Sequence, residues 1–200
     1  MVYGDKRILL EQYPSIKAWV SYMENNSQNN LWNVGFHFGD WLFYSPADDR
    51  DGKAAVTDKY LIAQCLYANS VQLMIKTAEV LNKNEDVGYY GKLLEKIAAA
   101  FFLEYVTPSG RLVSGTQTAY VLALNFDMLP ENQRRLAAEI LAKNVKDYNY
   151  HLTTGFLGTP YMCEVLMRFG YHDIAYTLLM QETYPSWLYP VKIGATTIWE

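Results

Sequence analysis

Apolar residues recur three and four positions apart along most of the chain, the spacing that lays one stripe along an α-helix. Residues 6–24 carry Ile8, Leu9, Tyr13, Ile16, Val20 and Met23 on such a stripe. Residues 58–82 repeat it with Leu61, Ile62, Cys65, Leu66, Val71 and Met74, behind Thr57 and Asp58, whose side-chain oxygens suit a helix cap. Residues 86–105 follow with Tyr90, Leu93, Leu94, Ile97, Phe101 and Phe102. The same reading predicts helices at about 116–127, 131–147, 159–169 and 172–182. VSGTQTAYVLAL is the one stretch that strand alternation could claim, and its length and leucine–alanine content favour a helix. The pattern predicts an all-α chain.

The connections between these helices are unequal. Residues 82–85, 128–130 and 169–171 leave room only for tight turns, whereas 25–56, 106–115, 148–158 and 183–195 are long. Short and long alternate, so successive helices pair as antiparallel hairpins and all the long loops fall on one face. Long loops on one face of a rigid scaffold are where binding sites are usually built. The helices after the long loops open alike, as GTQTAY (115–120), GTPYMC (158–163) and GATTIW (194–199). The glycine permits a close approach and the threonine is placed to cap. The spacing of roughly 40 residues is that of a helical-hairpin repeat, in an open array or a closed α/α toroid. The chain holds roughly three and a half such hairpins, the last inner helix having only its first turn. The expectation is therefore that the chain breaks off within an element at Glu200.

Composition narrows the function classes. The chain has 200 residues, half of them apolar, and a net charge of −4 with no basic stripe, so no nucleic-acid partner is expected. No apolar run reaches the roughly 18 residues that a membrane span needs. The opening MVYGDKRILLEQY lacks the order of a signal peptide, and since the native start is expected to lie elsewhere the compartment stays open. His37, His151 and His172 are scattered without a metal-binding spacing, the two cysteines sit in apolar helical contexts, and no phosphate-binding glycine loop is present. No metal or cofactor is expected. The 17 tyrosines and five tryptophans suit sugar binding, and suit half-buried helix faces equally well, so their number alone does not decide.

Two dense stretches are the candidates for chemistry. In the first long loop, GDW puts Asp40 beside Trp41: a carboxylate can hold sugar hydroxyls and an indole can stack on a pyranose face. The acidic run Asp48, Asp49 and Asp51 lacks regular calcium-loop spacing and reads as a solvated surface. In TYPSWLYPVKIGATTIWE (183–200), Tyr184, Trp187, Tyr189 and Trp199 surround Glu200. A glutamate near aromatics at a loop-lined cleft suits general acid–base work; the alternative is a carboxylate that only complements a helix N-terminus.

Taken in order, GDWL (39–42), GTQTAYVLAL (115–124), TTGFLGTPYMCEVL (153–166) and YPSWLYPVKIGATTIWE (184–200) resemble the catalytic domain of bacterial-type α-L-rhamnosidases, over nearly the whole chain. The resemblance implies an (α/α)6 barrel, of which residues 1–200 form a single, later portion truncated at both ends. It implies hydrolysis of terminal α-L-rhamnosides with inversion, with Glu200 as the general base. Asp40 and Trp41 are then part of the sugar-binding wall, and Trp187 and Trp199 help shape the rhamnose pocket. The family's general acid lies in an acidic, tryptophan-containing motif upstream of these residues and has no counterpart here, so the isolated chain is expected to turn over poorly. The implied partner is a rhamnose-containing glycoside or oligosaccharide, with neither nucleic acid nor membrane involved and the oligomeric state open. Two rivals remain: another α/α-barrel enzyme acting on a different deoxy sugar or a uronide, and a non-catalytic helical scaffold that binds a glycan or a protein.

Overall fold

A computed structural model describes residues 4–44 and 56–197. Its helices are α1 (Arg7–Asn26), α2 (Lys59–Val80), α3 (Asn84–Tyr105), α4 (Gln117–Asn125), α5 (Glu131–Asp147), α6 (Met162–Arg168), α7 (His172–Leu179) and α8 (Leu188–Lys192). Among the described residues there is no strand, only two isolated bridges, Gln28 with Leu31 and Val106 with Leu112.

Burial sorts the helices into two layers. In α4 eight of nine residues are buried, from Gln117 to Leu124. In α2 eleven are buried. By contrast α3 buries Tyr90, Leu93, Ile97, Phe101 and Tyr105, a single stripe, and α1 buries only Tyr13, Val20 and Met23. A helix apolar all round belongs inside, and one with a single stripe belongs on the outside. Accordingly α2 packs on α4 and α4 on α6, while α3, α5 and α7 each pair with the inner helix that precedes them in the chain. The buried side chains form one continuous cluster.

The three tight turns share one construction. Asn82, Asp127 and Gly170 have φ of 55°, 55° and 87°. The residue after each donates its N–H five positions back: Lys83 to Ala78, Met128 to Ala123 and Tyr171 to Leu166, all at 2.9 Å. This Schellman geometry satisfies the last carbonyls of α2, α4 and α6 and reverses the chain within a few residues. It places the beginnings of the inner helices, and the long loops before them, at one end.

The predicted boundaries need three corrections. The helix expected at 159–169 opens as a 3-10 turn, Thr159–Tyr161, before α6. The helix expected to reach 182 ends at Leu179. The connection 183–195 contains α8. Of the capping threonines, Thr116 does cap α4, accepting from the Ala119 N–H at 3.2 Å. Thr159 instead donates to the Gly155 carbonyl at 2.8 Å. For α2 the cap is Asp58, which accepts from Tyr60 and Leu61, while Thr57 bonds the Thr116 hydroxyl at 2.6 Å.

Candidate functional site

The first turn of α4 organises the long-loop face. Gln117 is fully buried; its Oε1 accepts from the Thr153 N–H at 3.0 Å and its Nε2 donates to the His151 carbonyl at 3.1 Å. Next to it, the Thr118 hydroxyl donates to Asp40 Oδ2 at 2.5 Å. The same oxygen accepts from the Gly155 N–H at 2.7 Å, and Oδ1 accepts from the Leu157 N–H at 2.9 Å. Between those two amides, the Phe156 N–H reaches the Trp41 carbonyl at 3.1 Å. The loops around residues 40 and 155 are thereby joined through a carboxylate that is 6% exposed. Charge-assisted bonds in such a shielded place are stronger than neutral ones. In α2, Gln64 does the equivalent for the preceding loop, accepting from the Trp32 N–H at 2.7 Å and donating to the Asn30 carbonyl at 2.8 Å.

Beside this junction lies a cleft of about 680 Å³. One wall is residues 42–44; the floor comes from 152–160, where the hydroxyls of Thr154 and Thr159 bond each other at 2.7 Å; the far wall is residues 184–190. Aromatic rings dominate it. Tyr44 meets Tyr184 edge-on at 6.2 Å, and Tyr184 meets Tyr189 at 5.5 Å. Trp187 lines the cleft half-buried, with its other side against the core. The Tyr184–Pro185 peptide is cis. Among the described residues that line the cleft, none is charged. A second aromatic row leads away from the junction, Phe36 to Phe38 at 4.9 Å and Phe38 to Trp41 at 5.3 Å.

The residues singled out from sequence are distributed as follows. Trp187 lines the cleft. Trp41 stands at its flank, half exposed, while its neighbours Leu42, Phe43 and Tyr44 form the wall. Asp40 is at the junction beneath, its oxygens bonded within the protein. Trp199 and Glu200 lie outside the described residues, as does the acidic run of Asp48, Asp49 and Asp51. The described chain leads toward Glu200 from the cleft edge: Ala195 donates to the carbonyl of Pro190, a lining residue, at 2.9 Å. Sequence reasoning did not single out Phe156 or Thr118. The available signals were an aromatic between two glycines in GFLG, and a second threonine in GTQT two residues after the cap.

Elsewhere, His151 bridges two loops, its ring nitrogens at 3.0 Å from the Tyr148 carbonyl and 2.8 Å from the Thr183 hydroxyl. Among the described residues no three His, Cys, Asp or Glu side chains converge as metal ligands would, and no helix is long and apolar enough to cross a membrane.

Comparison with known proteins gives a consistent picture. The model of the bacterial α-L-rhamnosidase 6-hairpin glycosidase domain matches residues 1–200. An α-L-rhamnosidase of Alteromonas sp. (strain LOR) is 42% identical over 205 residues, which cover 100% of this chain and 22% of that protein. One from Formosa agariphila is 40% identical over 199 residues, covering 98% and 21% respectively. Among solved structures, Streptomyces avermitilis α-L-rhamnosidase complexed with L-rhamnose superposes with a TM-score of 0.90 at 39% identity, covering 99% of this chain and 18% of that one. The native Aspergillus terreus α-L-rhamnosidase gives 0.89 at 34% identity, covering 99% and 23%. The chain thus spans about a fifth of the length of these relatives.

Proposed function

The chain belongs to the bacterial α-L-rhamnosidase 6-hairpin glycosidase domain family, and from that membership we propose that its long-loop face serves the hydrolysis of terminal α-L-rhamnosides with inversion. The observation that carries the reading is the aromatic cleft at the long-loop end, bordered by the segment that leads to Glu200. Rings with an apolar face and a polar tip suit the C–H faces of a deoxy sugar, which has one hydroxyl fewer to satisfy.

In this reading Glu200 is the general base. It takes a proton from a water that attacks the anomeric carbon from the face opposite the leaving group, while an acid protonates the departing oxygen. The two carboxyls of an inverting pair stand roughly 6.5–9.5 Å apart to admit that water. Trp41, Trp187 and Trp199 shape the rhamnose pocket, with Asp40 in the wall that carries Trp41. No described residue lining the cleft is a carboxylate, and the acid is assigned to none of them. That same observation favours a second reading, in which these 200 residues by themselves bind a glycan without turning it over.

Saturation of the protein's tryptophan fluorescence by L-rhamnose and methyl α-L-rhamnoside, alongside hydrolysis of p-nitrophenyl α-L-rhamnoside, tests both. The expected result is saturable binding that L-fucose and D-glucuronate do not reproduce. Any hydrolysis should fall by about a hundredfold to ten-thousandfold in Glu200→Gln, the range of general-base contributions. No preference for rhamnose would sink the first reading. Rhamnose binding indifferent to Glu200→Gln, with no turnover, would select the second.

A further inference from the structure

We propose that Asp40 is a positioning residue for the rhamnoside site, not a sugar ligand: its carboxylate fixes Trp41 and Phe156 side by side at the edge of the cleft. This rests on the reading of the cleft as a rhamnoside site.

An ionised carboxylate offers about four lone-pair sites. Three are occupied within the protein, by the Thr118 hydroxyl and the Gly155 and Leu157 amides, and the residue is 6% exposed. Little acceptor capacity and almost no surface are left for a ligand. What the bonds hold is specific. Two of the three donors are the backbone amides on either side of Phe156, and the amide between them is bonded to the carbonyl of Trp41, the residue after Asp40. One carboxylate therefore sets the backbone of both aromatics, whose side chains stay 53% and 54% exposed. Large exposed rings on a pinned backbone lose less freedom when a ligand stacks on them than rings on a loose loop do. The third donor, Thr118, stands on the buried first turn of α4, so the pair is referred to the rigid inner layer.

A double-mutant cycle separates positioning from direct contact, because residues acting through one another do not add. Binding of methyl α-L-rhamnoside to the 200-residue protein is measured for Asp40→Asn in the wild-type and in the Phe156→Ala background. Asparagine turns one acceptor oxygen into a donor facing an amide, so the expected loss is about tenfold in the wild type and only about threefold in Phe156→Ala, where Trp41 alone is left to be positioned. Equal losses in both backgrounds would make Asp40 a ligand and overturn the proposal. A ligand-free readout accompanies this: the Trp41 indole N–H signal in nuclear magnetic resonance spectra should shift and broaden in Asp40→Asn. An unchanged signal overturns the proposal even where no rhamnoside binds, an outcome that would instead count against the functional reading. Should Asp40→Asn fail to fold, Thr118→Val removes a single donor and should give the same pattern at about threefold; additive losses or an unmoved Trp41 signal there overturn it equally.

Discussion

At position 155 a side chain has no room. A Cβ there would lie 1.9 Å from the Trp41 carbonyl oxygen and 2.7 Å from Asp40 Oδ1. The first of these is backbone and cannot rotate away, so Gly155→Ala forces the two loops apart and breaks the bonds that depend on their contact. The expected cost is about 2–3 kcal/mol, read as a lower urea midpoint, with rhamnoside affinity falling in parallel. Alanine at 158 would press on the Thr154 methyl group at 2.8 Å and on the Thr118 hydroxyl at 2.9 Å, so it too should cost stability, though less than a clash with backbone does. These residues also show what a sequence conveys about a site. The adjacency of Asp40 and Trp41 was visible and drew attention to the loop whose next residues border the cleft. The task of Asp40 was not visible, because its partners Gly155 and Leu157 lie 115 and 117 residues away. A carboxylate that holds a sugar and one that holds a loop look the same when written as GDW.

Among the helical elements, stripes made α1, α3 and α5 legible, and length with leucine–alanine content made the almost wholly buried α4 legible as well. The elements that escaped are those whose tertiary setting overrides the pattern. α8 has only five residues, in a segment of prolines and aromatics, and Pro190 is tolerated because it falls within the first turn, where N–H groups lack intrahelical partners. Pro160 sits at the start of the 3-10 turn that delays α6. The tight turns make a prediction of their own. Gly170, at φ 87°, occupies a left-handed position that costs a residue with a Cβ. Gly170→Ala should therefore destabilise by about 1 kcal/mol, and Asn82→Gly, at the equivalent place, should be neutral or stabilising by less than that. Thermal denaturation of the two variants checks the pair, and a loss from both would contradict the shared construction.

Across the whole molecule, the largest fully buried side chains among the described residues include Tyr67, Tyr90 and Tyr120. Burial raises the phenol pKa of Tyr67, Tyr105 and Tyr120 above the usual 10.0. Tyr89, donating to Glu24 at 2.7 Å, is pushed up to about 12. A phenol whose pKa is higher folded than unfolded stabilises the fold fully below the unfolded value, and that contribution is lost as pH rises through the folded one. Stability should hold up to about pH 10 and fall above it, with the buried tyrosines' share of the tyrosinate absorbance appearing together with the loss of helical circular dichroism. Independent titration of all the tyrosines near pH 10, with the helices intact, would contradict this. The span of the Asp40–Gly155 bond bears on the order of assembly. The hairpins are closed by turns of a few residues, whereas this junction joins loops 115 residues apart and needs the inner helices beneath it. Loop-closure entropy makes such a contact slow to form. The junction is therefore expected to close after the hairpins, so that on refolding the helical circular dichroism should recover before the fluorescence of Trp41 does.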